Sequence, residues 1–300
     1  MMNHDTHDWT WVNGQVLTGD QPVIHGDDQG FLLGIALFET IAVVNGKPVN
    51  ASAHLHRLMS GLQQIGITPP AEPLDAQRIL DDLFGKASGR HGVLRITVTP
   101  GRAGRGLLAT PFGDSAILAR FSELADQAHH PVSLHISDIR KNPDSPASYL
   151  KSISYLDHIL ALREARKAGA DDALMLTSDG FLSGATTANI LLWDGHRLVH
   201  PDSHAAALPG TTLALLQALL PAKRKPQSGR LTRLDLDVAK GIYLINSLKG
   251  IQPVNAIGDR KYYSDLNGVY AEMTKALRRF VVAECGEHVG EGVFPWLSEG

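Results

Sequence analysis

Tyr149 to Trp193 reads YLKSISYLDHILALREARKAGADDALMLTSDGFLSGATTANILLW, and the reading of this stretch decides the fold. Lys151 stands at the mouth of an apolar helix pattern, with Leu150 and Ile153 beside it and Tyr155 four residues on. A buried-looking strand, a turn at Asp179-Gly180 and a second strand follow. A lysine in apolar surroundings loses the hydration that stabilises its ammonium form. Its pKa falls, and it can attack a carbonyl as a nucleophile. Residue type alone leaves a second reading open, a solvated lysine leading into a helix.

Outward from this stretch the chain is dense in hairpin and helix signals. Trp9 to Leu17 and Phe38 to Val49 each pivot on an Asn-Gly pair, Asn13-Gly14 and Asn45-Gly46, which supplies the positive φ angles of a tight turn. Asp194-Gly195 marks another hairpin. Ser52 to Ile67 has apolar residues at helical spacing, with Ser52 as the expected N-cap. A helix is predicted over 75–88, and a last one over about 265–285. Val93 to Thr99 and Ala116 to Phe121 read as strands around Gly101-Arg-Ala-Gly-Arg105-Gly106. That loop lacks the Lys-Ser/Thr of a P-loop, and no helix pattern opens directly after it. Val132 to Ile139 alternates as a strand should, and Leu208-Pro-Gly210-Thr211-Thr212 opens a helix. Glu123 to Pro131 is polar and closed by a proline, which marks a linker at 127–131 between domains 1–126 and 132–300.

These segments together resemble the class IV aminotransferases, the fold-type IV enzymes that use pyridoxal 5′-phosphate (PLP). That family joins a Schiff-base lysine, a tyrosine just after it, "G-A-D-x-A-L-x-L", a "D-G" turn and a "T-x-A-N-I" strand. Lys151, Tyr155, Gly169 to Leu174, Asp179-Gly180 and Thr187 to Ile190 stand in that order. Phe38-Glu-Thr40 matches the family's "F-E-T", His54-Leu-His-Arg57-Leu its "H-L-x-R-L", and Leu208-Pro-Gly-Thr-Thr212 its "L-P-G-I-T-R". Ile242 to Val254 contains Asn246-Ser247-Leu-Lys-Gly-Ile-Gln-Pro-Val, the version carried by the aminodeoxychorismate lyase branch.

The resemblance implies an α/β (α+β) fold of two domains, a small N-terminal α/β domain and a larger, lysine-bearing, barrel-like C-terminal domain, with PLP in the cleft between them. It implies that Lys151 binds PLP covalently and shuttles the substrate proton, that Tyr155 bonds the phenolic oxygen, and that Asn189 lies against the cofactor. Arg57, Thr211, Thr212 and Ser247 would hold the phosphate; an arginine suits this because its planar fork makes two parallel hydrogen bonds. Thr40 and Arg105 are the candidate substrate contacts, Arg105 for a carboxylate. Two departures stand out. Pro100 replaces an arginine of the "R-G-x-G-x-R-G" loop, and Gly184 occupies the position of the glutamate that contacts the pyridine nitrogen. The resemblance implies aminodeoxychorismate lyase activity first, releasing pyruvate to leave 4-aminobenzoate. It leaves open an aminotransferase for D- or branched-chain amino acids, or a PLP-binding relative without ordinary catalysis. It also implies a homodimer.

Composition sets the outer limits. The 300 residues are enough for two ordinary domains, and the net charge of −3 gives no electrostatic case for nucleic acid or a membrane surface. The substrate expected is a small amine or amino acid. The single cysteine, Cys285, excludes an internal disulfide framework. The start MMNHDTHDW does not read as a signal peptide, and no stretch approaches the roughly 20 apolar residues of a membrane span. A cytoplasmic location is expected. The 14 histidines are scattered without an H-E-x-x-H or Cys/His cluster, so no metal is expected.

Overall fold

The computed structural model describes residues 9–18, 21, 23–70, 73–85, 90–124, 130–263, 267–286 and 294–297. The chain divides into two compact units. The first comprises Met1–Ala125, Lys151–Ser154 and Glu284–Val293; the second comprises Asp126–Leu150, Tyr155–Ala283 and Phe294–Gly300. Most of the expected linker, 127–129, lies outside the described residues. The lysine segment, expected with the second domain, packs in the first unit.

The first unit contains β1 (Trp9–Val12), β2 (Gln15–Thr18), α1 (Gln29–Leu33), β3 (Leu37–Val44), β4 (Lys47–Pro48), α2 (Ala51–Gln64), α3 (Ala76–Phe84), β5 (Gly92–Thr99) and β6 (Ala116–Glu123). Its six strands form one sheet in the order β2-β1-β6-β5-β3-β4. Both Asn-Gly pairs make the expected turns, with φ of 45° and 89° at Asn13 and Gly14 and 52° and 72° at Asn45 and Gly46. The start of α2 differs from expectation. Asn50, not Ser52, is the N-cap; it takes the left-handed conformation, and its N–H donates to Glu284 Oε2 at 2.8 Å. The α2 residues His54, Leu58 and Leu62 are buried. The lysine segment joins this sheet through its backbone. Phe38 N–H donates to the Lys151 carbonyl at 2.9 Å, and Ile153 N–H to that of Ala36 at 3.0 Å.

The second unit contains β7 (Val132–Lys141), α4 (Pro146–Tyr149), α5 (Leu156–Lys167), β8 (Asp172–Thr177), β9 (Leu182–Ala185), β10 (Asn189–Trp193), β11 (Leu198–Pro201), α6 (Thr211–Leu219), β12 (Gln227–Gly229), α7 (Arg233–Val238), β13 (Gly241–Asn246), β14 (Gly250–Ile257), β15 (Arg260–Lys261) and α8 (Val269–Cys285), the last two residues of α8 counting with the first unit. The main path of its sheet is β12-β11-β10-β13-β14-β7-β8-β9. β9 is an edge strand far from β10 along that path, yet only residues 186–188 connect the two. Ala185 N–H donates to the Ala188 carbonyl across this turn at 2.8 Å. The sheet must therefore curl until its β9 edge returns beside β10, which makes the unit barrel-like. Leu134, Leu174, Leu182, Ile190 and Leu244 fill one face, while Ala161 and Ala165 of α5 pack against Ala173 and Met175 on the other. Small alanines let the helix lie close to the strands.

Candidate active site

In the first unit, chemistry gathers around β3. Because side chains alternate along a strand, Phe38 and Thr40 face one way and Glu39 the other. Lys151 Nζ lies 4.6 Å from the centre of the Phe38 ring, and the Arg95 guanidinium lies 3.7 Å from it. Arg95 on β5 is the direct cross-strand partner of Thr40, so the two share a face with the lysine. Desolvation lowers the Lys151 pKa to about 8; Glu39 opposes the shift, while Arg57 and Arg95 add to it. An amine so placed is a competent nucleophile near neutral pH.

On the other face Glu39 is fully buried and meets two residues of α2. Arg57 Nε donates to Oε1 at 2.7 Å and Nη2 to Oε2 at 2.7 Å, while His54 Nδ1 lies 2.6 Å from Oε2. Burial alone would raise the Glu39 pKa, but the hydrogen bonds from His54 and Arg57 outweigh it and hold the carboxyl below its ordinary value. An ionised carboxylate only accepts, so His54 carries its proton on Nδ1. Arg57, expected at a phosphate, is thus largely buried and oriented by a carboxylate. Arg105 is exposed in the 101–112 loop.

The second unit carries Tyr155, Asn189, Thr211, Thr212 and Ser247. Tyr155 is the N-cap of α5, its ring 4.8 Å from that of His158. Asn189 Nδ2 donates to the Leu208 carbonyl at 2.8 Å, which ties the first residue of β10 to the loop before α6. Gly210, the N-cap of α6, offers no side-chain cap, and a Cβ there would lie 2.0 Å from Asn189 Oδ1. Thr211 is the first helical residue and is buried; Thr212 is half-buried. Asn189 pairs with Ile245 on β13, and Asn246 Nδ2 donates to the Thr187 carbonyl at 3.4 Å, so the Ser247 turn lies at the same end of the sheet. A helix N-terminus without a side-chain cap, flanked by hydroxyls, is a natural anion site.

Unit by unit, this donor set fits a phosphorylated aldehyde: a desolvated amine, an oriented arginine, and an uncapped helix start beside hydroxyls. Gly184 differs. It is buried on β9, and a Cβ added there would stand 2.8 Å from the Ala188 carbonyl. The tight return into β10 thus leaves no room for the glutamate expected at that position. Glu39, Phe38 and Arg95 were not singled out from sequence. Glu39 and Phe38 lie inside a matched motif, and Arg95 could have been found from strand alternation opposite Thr40.

Lys141 had no sequence signal at all. Burial lowers its pKa to about 8, and its Nζ donates to the Ala206 carbonyl, which Ser183 Oγ also reaches at 3.2 Å. Among the described residues no group of His, Cys, Asp and Glu could hold a metal, and no helix is long and apolar enough to cross a membrane.

Residues 36–257 match the amino-transferase class IV family, and the chain belongs to that family of PLP-dependent enzymes. The aminodeoxychorismate lyase of Bacillus subtilis (strain 168) is 24% identical over 96% of this chain and 99% of its own length. A bifunctional aminodeoxychorismate lyase / D-amino acid transaminase of Mycobacterium tuberculosis (strain ATCC 25618 / H37Rv) is 25% identical over 88% of this chain and 96% of its own. A candidate 4-amino-4-deoxychorismate lyase from Legionella pneumophila subsp. pneumophila str. Philadelphia 1, solved as a crystal structure, superposes with a TM-score of 0.81. It is 30% identical and covers 87% of this chain and 96% of its own.

Proposed function

We propose that this enzyme is an aminodeoxychorismate lyase, which breaks the C–O bond of 4-amino-4-deoxychorismate to give pyruvate and 4-aminobenzoate. The observation that carries the reading is the face of the first unit where Arg95 and Lys151 share the Phe38 ring and Thr40 stands opposite Arg95, which sets a fixed arginine cation beside the amine. The lyase substrate has two carboxylates, whereas a branched-chain amino acid has one. In this reading Thr40, Arg95 and Arg105 orient the substrate. Bound PLP would supply the electron sink for deprotonation next to the substrate amine. Lys151 binds the cofactor and moves the substrate proton at Nζ. Its lowered pKa, about 8, leaves a larger share of it as the neutral amine near physiological pH than an ordinary lysine has. Tyr155 and Asn189 position the cofactor ring, and Arg57, Thr211, Thr212 and Ser247 hold its phosphate. The Asn246–Val254 segment is of the lyase type, and Gly184 is tolerable because aromatisation of the product favours deprotonation.

The bifunctional mycobacterial relative favours a second activity, transamination of D-amino acids. Purified protein supplied with PLP and 4-amino-4-deoxychorismate should form 4-aminobenzoate and pyruvate in equal amounts. Glutamate formation from 2-oxoglutarate with D- or branched-chain amino acids, without 4-aminobenzoate, would sink the lyase reading.

We further propose a cytoplasmic homodimer. The support for the homodimer is the apolar surface of α1 and of the 101–112 loop in the first unit, which a bridge between Asp28 and Arg102 ties together. Phe31, Leu108 and Phe112 are 69%, 98% and 68% exposed there, more apolar surface than a lone chain usually leaves to water.

A further inference from the structure

Glu39 is buried completely, and a buried carboxylate costs free energy unless charge and hydrogen bonds compensate it. Compensation comes from one turn of α2: His54 and Arg57, three residues apart on the same helix face. The Arg57 pair is side-on, made through Nε and Nη2. Nη1 and the outer Nη2 hydrogen are therefore directed away from Glu39. A long arginine side chain otherwise samples many rotamers, and fixing one of them costs entropy.

We propose that Glu39 is a positioning residue, which grips the Arg57 guanidinium from behind, braced by His54, and thereby aims it at the cofactor's phosphate. The proposal rests on the reading that Arg57 holds that phosphate. It separates Glu39 from a merely structural ion pair, because aiming affects only ligands that carry the phosphate. Glu39 also faces Lys151 electrostatically, together with Arg57 from α2 and Arg95 from β5, and it favours the charged amine. Removing the negative charge should therefore lower the pH at which Lys151 becomes reactive.

The test compares equilibrium binding of PLP and of pyridoxal, which lacks the phosphate, to wild type, Arg57→Ala, Glu39→Gln and the double variant. Arg57→Ala should cut the preference for PLP over pyridoxal by about tenfold or more, the scale of a hydrogen bond to a charged group. Glu39→Gln should lower the preference in the same direction and add nothing in the Arg57→Ala background, while any effect through Lys151 is shared by PLP and pyridoxal and cancels in their ratio. Should the glutamine variant not fold, Glu39→Asp keeps the charge but shortens the reach, and should lower the same preference. An unchanged preference in Arg57→Ala would remove the reading of Arg57, and the proposal with it. A preference lost in Arg57→Ala but kept in both Glu39 variants would overturn Glu39's role alone, as would loss of folding in both.

Discussion

Lys151 owes its lowered pKa to what surrounds its amine. With a pKa of about 8, roughly a tenth of the side chain is neutral at pH 7, against under about a thousandth for an ordinary lysine. Covalent uptake of PLP should therefore rise through pH 8 and level off above it. Borohydride reduction followed by peptide mapping should place the pyridoxyl group on Lys151. Lys141 is the demanding control, because it has the same lowered value but a carbonyl already bound at its Nζ. Label on Lys141, or on no lysine at saturating PLP, would remove Lys151 from its assigned role. The position of Lys151 was legible in the sequence because a run of spaced motifs surrounds it. Its electrostatic setting was not. Glu39, Arg57 and Arg95 sit on three elements far apart in the chain, and only the register of β3 against β5 and α2 brings them together.

At the scale of elements, the hairpins were the most legible features, since Asn-Gly pairs state their turn type through positive φ. The start of α2 was misread because Ser52 has the chemistry of a cap, while Asn50 is fixed by a contact from Glu284, remote in sequence. The end of β7 was read as an ordinary strand end, with nothing to say that Lys141 turns inward. That lysine has a stability consequence. In the unfolded chain it titrates near 10.5, in the fold near 8, so between those values the unfolded state binds more protons and stability rises with pH. Below pH 8 the fold carries the full penalty of a buried ammonium, on the order of 3 kcal/mol. Lys141→Met should therefore stabilise the protein at pH 7, since Ser183 still donates to the Ala206 carbonyl, and should flatten the rise between pH 8 and 10.5. Urea unfolding at pH 7 and pH 10 measures both; a variant less stable than wild type at pH 7 would contradict this account.

For the whole molecule, the two-domain fold was legible through the family resemblance, but the allocation of the chain between the units was not. Sequence read Lys151 with the segments that follow it, whereas its carbonyl accepts from Phe38 N–H and the nearby Ile153 N–H donates to the Ala36 carbonyl. The exposed apolar side chains of α1 and of the 101–112 loop carry a prediction at this scale. Sedimentation at micromolar concentration should give twice the chain mass, and Leu108→Glu should shift the mass toward one chain. A wild-type protein that stays single at those concentrations would exclude the homodimer. The backbone pairing of Lys151–Ile153 with Ala36–Phe38 also bears on how the protein is made. When Ala125 leaves the ribosome, one flank of Ala36–Phe38 still awaits its partner, about 25 residues later in the chain. At about 5–20 residues per second this lasts a second or more, long for an unpaired strand edge in a crowded cell. The nascent chain stays open to mispairing at this flank until its lysine segment emerges, so the residue assigned to chemistry also lies on the segment that covers the flank.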